Sequence, residues 1–150
     1  MRVVLQRVSE ASVTIEGIKK SEIREGVLVL VGIENEDTEE DMRWLASKIA
    51  QMRIFSDEEG LMNRSVMDIE GEILVVSQFT LHASIKKGNR PSFLKAAKPN
   101  VAIPMYEKFV ALLKEVSSLN VLTGVFGADM KVALLNDGPV TIVLDSKNRE

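Results

Sequence analysis

Apolar and polar residues alternate from Arg2 to Val8 and again from Ser12 to Glu16, with β-branched residues prominent among the apolar ones. This is the period-two signature of strands. Ser9-Glu10-Ala11 joins the two runs, and Glu16-Gly17 offers a turn. Gly26 to Ile33 reads as a buried strand. The spacing then changes: Met42, Leu45, Ala46, Ile49 and Met52 form one stripe of a helix over 38–52, with Thr38 as candidate N-cap and acids in the first turn. Strand character returns briefly at Arg53 to Phe55. After a turn at Asp57 to Gly60, Glu72 to Gln78 reads as a buried strand that delivers Ser77-Gln78 at its end.

Ala83 to Asn100 is rich in Lys, Gly and Pro and has no apolar period, so a long surface loop is predicted there. A second helix is expected from about Ala102 to Ser118, with Pro104 in its first turn and Met105, Phe109, Leu112, Leu113 and Val116 on its buried stripe. Three strand-like pieces follow, at Val121–Phe126, Met130–Leu135 and Val140–Asp145. The order βββαββαβββ, with hairpin-length connections, fits an α+β fold: a curved, mainly antiparallel sheet with two helices packed against it, in a single domain over 1–150.

At 150 residues with 45% apolar and 27% charged residues, the chain can bury a core without staples. It has no cysteine and one histidine, His82, so disulfides and thiolate or His-rich metal sites are not expected, and no metal or cofactor is predicted. The longest purely apolar run, Val27 to Ile33, falls far short of the roughly 20 residues of a membrane helix, and Arg2, Gln6 and Arg7 interrupt the N-terminal apolar positions. A soluble, cytoplasmic protein without a membrane partner is expected. Net charge is −3, with its charges segregated: acids crowd Glu34–Asp41, whereas Lys86, Lys87, Arg90, Lys95 and Lys98 stand unopposed between His82 and Lys98. A local basic loop on an acidic protein suits a ligand that offers few phosphates.

Side-chain acid-base machinery is scarce. His82 is the one imidazole available to a Ser-His-Asp triad, no Gly-x-Ser-x-Gly elbow surrounds Ser77 or Thr80, and His82 reads as a polar loop residue. Asn136-Asp137-Gly138-Pro139-Val140-Thr141 reads, by turn chemistry, as a hairpin turn. A Gly-Pro step has almost no side chain to offer, so any chemistry there must use backbone carbonyls. Arg7 reads equally as an exposed strand charge, and Phe126 and Met130 as core residues.

Ser77-Gln78-Phe79-Thr80-Leu81 and Asn136-Asp137-Gly138-Pro139-Val140-Thr141 together resemble the paired motifs of the D-aminoacyl-tRNA deacylases. The likeness extends to Met1–Val8, Gly88-Asn89-Arg90-Pro91-Ser92-Phe93 and Thr123–Met130. The resemblance implies a barrel-like homodimer with active sites at the subunit interface. It also implies hydrolysis of the ester between a D-amino acid, or mischarged glycine, and the 3'-terminal adenosine of tRNA. In that reading Ser77, Gln78, Phe79 and Thr80 form the catalytic segment, and the strand-end amides of Phe79 and Thr80 supply an oxyanion hole. Gly138 and Pro139 would form a cis-linked chirality gate reaching the other subunit's site, supported by Arg7, Asn136 and Thr141. Phe126, Gly127, Ala128 and Met130 would hold the adenine, while Lys86, Lys87 and Arg90 would meet tRNA phosphates. Two rivals remain: a non-catalytic module binding RNA 3' ends, and a Ser77/His82 esterase.

Overall fold

The computed structural model describes residues 1–150. Its organising element is β1 (Arg2–Ile15), which runs unbroken through Ser9-Glu10-Ala11. A tight turn leads into β2 (Ile18–Ile23), and β3 (Gly26–Gly32) follows. The first half of β1 pairs antiparallel with β3 and its second half with β2. The sequence pattern did not predict β2: Ile18-Lys19-Lys20-Ser21-Glu22-Ile23 is mostly exposed and polar, so it carries no apolar period.

Helix α1 (Glu39–Gln51) is followed by a small hairpin of β4 (Phe55–Ser56) and β5 (Met62–Arg64), and then by β6 (Glu72–Ser77). A 3-10 turn (Phe79–His82), helix α2 (Pro99–Ser117), β7 (Val121–Thr123) and the long β8 (Lys131–Asp145) complete the chain. The order is therefore βββαβββαββ. The expected strands 130–135 and 140–145 are one strand, and the intervening Asn-Asp-Gly-Pro segment is not a hairpin turn but an irregularity within β8.

The main sheet runs β2-β1-β3-β6-β7, with β8 on the other side of β1. It is mixed: the pairings of β1 with β2, β3 and β8 are antiparallel, as expected for most of the sheet, but β3–β6 and β6–β7 are parallel. Parallel neighbours require a crossover, and α1 and α2 lie in the two crossovers. Ser21 Oγ donates to the Thr123 carbonyl at 2.9 Å, bringing β2 beside β7 and nearly closing the sheet into a barrel.

Because β3 and β6 are covered on both faces, their sequences are almost wholly apolar. Val27, Val29, Val31, Ile73 and Val75 point toward the helices, where Leu45, Ile49, Phe109 and Leu113 complete the larger core. Leu28, Leu74 and Val76 point into the barrel, against Val8, Ala11, Val13 and Ile23. No helix is long and apolar enough to cross a membrane.

Thr38 caps α1 as the sequence predicts, in a reciprocal capping box with Asp41. The buried Asp41 carboxylate also accepts from Lys147 Nζ at 2.7 Å. Burial opposes its ionisation, but hydrogen bonds from Lys147, Ser146 and Thr38 outweigh that and hold the carboxyl well below its ordinary range. A pKa lowered on folding stabilises the native state above the unfolded-chain value and ceases to do so as acid protonates the group. We predict that the unfolding temperature falls as pH drops below about 4. Asp41→Asn should be less stable at neutral pH and lose less over that acid window, as measured by circular dichroism melts.

Candidate active site

Strand β6 ends at Ser77, but its pairing with β3 extends one residue further, through Gln78 N–H to the Val31 carbonyl at 2.7 Å. The chain then tightens into the Phe79–His82 turn, where Leu81 N–H donates to the Gln78 carbonyl and Ala83 N–H to that of Thr80. A 3-10 turn leaves its first amides without a partner inside the turn, here those of Phe79 and Thr80. The Gln78 side-chain amide donates to the Thr80 hydroxyl. Arg2 anchors the far end of the turn: its guanidinium donates to the Leu81 carbonyl at 3.2 Å and to Asp145 at 2.8 Å.

Facing this strand end is the segment after β7. Gly127 turns with φ +77°, in the left-handed region that favours glycine, and Ala128 N–H donates to the Val125 carbonyl. Phe126 meets the ring of Tyr106 edge-on at 5.9 Å, and the Tyr106 hydroxyl donates to the Val75 carbonyl at 2.9 Å. Burial pushes the Tyr106 phenol above its ordinary range, keeping it a neutral donor. At Gly124 an added Cβ would lie 2.5 Å from Met130 Sδ, so the thioether rests directly on backbone.

Between the two segments lies a cavity of about 320 Å³. Ser77, Gln78 and Phe79 line one side and Phe126, Gly127, Ala128 and Met130 the other, so the structure brings two separately predicted groups together. Thr80 adjoins it through Gln78. Sequence reasoning missed the remaining walls, including Val31, Ile33, Val76, Ala97 and Ala102. These read as core residues, and nothing local distinguishes a pocket wall from a packed interior.

The Gly138-Pro139 step is not in this cavity. Its peptide bond is cis, and it lies in a bulge of β8: Thr141 pairs with Gln6 and Asn136 with Val8, so four residues of β8 stand opposite Arg7 alone. Side chains replace the missing ladder. Arg7 is buried, donating from Nε to the Asp137 carbonyl at 2.8 Å and from Nη1 to the Ile54 carbonyl at 2.6 Å. The alternative reading of Arg7 as an exposed strand charge is therefore incorrect. Asn136 Oδ1 accepts from Val140 N–H at 2.9 Å, and its amide donates to the Thr141 hydroxyl at 3.0 Å.

Lys86, Lys87 and Arg90 are exposed on the predicted loop, whose arms are joined by a bridge between Ser84 and Ser92. The helix that ends this loop starts at Pro99, earlier than predicted, so Pro104 lies inside it. Phe93 packs edge-on against Phe79, centroids 5.0 Å apart, which ties the loop to the segment after β6. His82, expected to be a polar loop residue, is 2% exposed, because the 3-10 turn folds its ring back under β3.

A family model described as D-Tyr-tRNA(Tyr) deacylase matches residues 4–145. The chain belongs to that family. It is 67% identical over 150 residues to a D-aminoacyl-tRNA deacylase of Flavobacterium johnsoniae, and 64% identical to one of Parabacteroides distasonis, with all of each chain covered. A solved structure named as c-Myc DNA unwinding element binding protein superposes with TM-score 0.91 at 44% identity, covering 97% of this chain and 98% of the other. A probable eukaryotic D-amino acid tRNA deacylase superposes with TM-score 0.81 at 19% identity, over 95% and 97% of the two chains, which shows the shared fold.

The brace on the β8 bulge makes a prediction for this family member. A lysine at position 7 offers a point charge in place of a planar fork and cannot serve both the Asp137 and Ile54 carbonyls. Arg7→Lys is expected to lower unfolding free energy by about 1–3 kcal/mol, the cost of unpaired buried polar groups. Amide exchange at 136–141 should also accelerate. Wild-type exchange in the variant would remove Arg7 as the brace.

Proposed function

We propose that this protein hydrolyses the ester between a D-amino acid, or mischarged glycine, and the 3'-terminal adenosine of tRNA. The cavity shared by Ser77-Gln78-Phe79 and Phe126–Met130, in a member of this family, carries the reading. The high identity to relatives named D-aminoacyl-tRNA deacylase supports the substrate class. We infer that the whole of 1–150 acts as one deacylase domain in the cytoplasm, and that no metal or cofactor takes part.

An aminoacyl ester is already activated, so the protein's task is to orient water and stabilise an oxyanion. Water attacks the ester carbon, the carbonyl oxygen takes negative charge facing the Phe79 and Thr80 amides, and the ribose 3'-oxygen leaves with a proton. The products are free amino acid and tRNA with its 3'-hydroxyl restored. Gln78, aligned by Thr80, holds the terminal nucleotide, with Ser77 beside it. The neighbouring 2'-hydroxyl helps orient the water. Phe126 and Met130 enclose the adenine, Gly127 and Ala128 allow close approach, and Lys86, Lys87 and Arg90 meet the acceptor-end phosphates.

The chirality gate is Gly138-Pro139, whose carbonyls accept the substrate ammonium and leave no room for an L side chain. Arg7, Asn136 and Thr141 hold it in place. Along the sheet, the gate stands level with Arg7 and Ser77 with Val3, about 13 Å apart, with β1 and β3 between their strands adding about 14 Å. The gate that serves this cavity therefore belongs to a second copy of the chain. An unpaired edge on β8, with Leu135 58% and Val143 69% exposed, supports a homodimer.

D-Tyr-tRNA should be deacylated at catalytic protein concentrations with chelator present, at least about 100-fold faster than L-Tyr-tRNA, a difference of about 2.7 kcal/mol. Gly-tRNA should also be cleaved. Stoichiometric binding without turnover would instead indicate an RNA 3'-end binding module. Raising salt should weaken tRNA binding with a shallow slope, since few phosphates are engaged.

Leu135→Asp with Val143→Asp alters exposed positions only and should convert the dimer to a monomer in light scattering while abolishing discrimination between D and L esters. A discriminating monomer would refute the gate in trans.

A further inference from the structure

His82 is the sole histidine and closes the 3-10 turn that opens with Phe79. Its side chain is 1% exposed, and neither ring nitrogen makes a well-directed hydrogen bond, although Nδ1 lies 2.9 Å from Glu34 Oε1. An unpaired buried polar group costs about 1–3 kcal/mol, so a ring kept in this place calls for a physical reason.

The surroundings supply one. A Cβ at Gly32 would stand 3.0 Å from the Gln78 carbonyl oxygen, 3.0 Å from His82 Cδ2 and 3.1 Å from Nε2. The imidazole and the Gln78 carbonyl thus rest side by side on the bare backbone at the end of β3. Glu34 is tied independently: its N–H donates to Asp37 Oδ2 at 2.7 Å, and its backbone forms a bridge with Ala96 where the basic loop ends. One imidazole–carboxylate contact thereby joins the turn, the end of β3 and the exit of that loop.

We propose that His82, held by Glu34, is a positioning residue for ester hydrolysis: its ring wedges the 3-10 turn against Gly32 and fixes the direction of the Phe79 and Thr80 amides. The proposal rests on the oxyanion reading above. His82 does not line the cavity and takes no proton from substrate. Its influence falls on the transition state, because a misdirected amide forfeits oxyanion stabilisation while leaving ester binding nearly intact.

The test measures deacylation of D-Tyr-tRNA and of D-tyrosyl-adenosine, which has no loop-contacting phosphates, by wild type, His82→Ala, His82→Asn and Glu34→Ala. His82→Ala should lower kcat about 10–100-fold on both substrates, somewhat less than loss of a whole oxyanion donor, with KM changed less than about twofold. His82→Asn keeps an N–H donor near the Nδ1 position and should recover most of that loss. Glu34→Ala leaves the backbone bridge to Ala96 in place and should lower kcat about 3–10-fold, since it frees the ring without removing it.

If His82→Ala does not fold, the other two variants decide. Unchanged kcat in Glu34→Ala, a His82→Asn kcat more than about 10-fold below wild type, or an effect confined to KM for tRNA overturns the proposal. A wild-type protein that leaves D-Tyr-tRNA intact overturns the deacylase reading, and this inference falls with it.

Discussion

The double irregularity where β1 meets β8 is the constraint on which the rest depends. Pairing slips between Gln6 and Val8 and again between Val8 and Glu10. A strand has a side-chain period of two, and β1 pairs regularly with β3 from Arg2 to Val8, so Val3 and Leu5 join the core beneath the helices while Val8 faces the barrel. The slip after Val8 then turns Ala11 and Val13 to the barrel side as well. One strand serves two cores without interruption. The slip opposite Arg7 releases four residues of β8 from the ladder, and Arg7 and Asn136 supply the polar partners that the ladder no longer provides.

The segments legible in the sequence are those whose surroundings are uniform along their length. β3 and β6 are covered on both faces and read as unbroken apolar runs, and α1 announces itself by its stripe and its Thr38 cap. β2 is not legible because, apart from Ile23, its residues are polar or exposed and carry no apolar period. β8 was divided because Asn-Asp-Gly-Pro has the composition of a turn, and local chemistry cannot report that β1 pairs with both flanks of it. Parallel pairing was missed for a related reason: strand spacing carries no sign of direction, which the crossovers through α1 and α2 impose.

Legibility of the site followed the same rule. Short polar or glycine-rich motifs at strand ends stood out and gathered around one cavity, as Ser77-Gln78-Phe79 and Phe126–Met130 did. The apolar walls contributed by Val31, Ile33, Ala97 and Ala102 have no signature apart from that of core. His82 was misplaced because a single imidazole in a polar stretch has no periodic context, and the turn that buries it is set by backbone bonds at Gln78 and Thr80. The strand end beside the cavity is held from outside by Arg2 at the Leu81 carbonyl and by Tyr106 at the Val75 carbonyl.

The pairing of β1 with β8 joins Arg2 to Asp145, 143 residues away along the chain. Closing so large a span carries an entropic cost that local contacts cannot offset early. A polypeptide emerging from the ribosome would complete β1, β3 and both crossovers while one flank of β1 still lacked its neighbour. Until β8 arrives, Val3 and Leu5 present an open row of amides and carbonyls to the crowded surroundings. The strand that would bear the stereochemical gate is thus also the last to seal the nascent sheet.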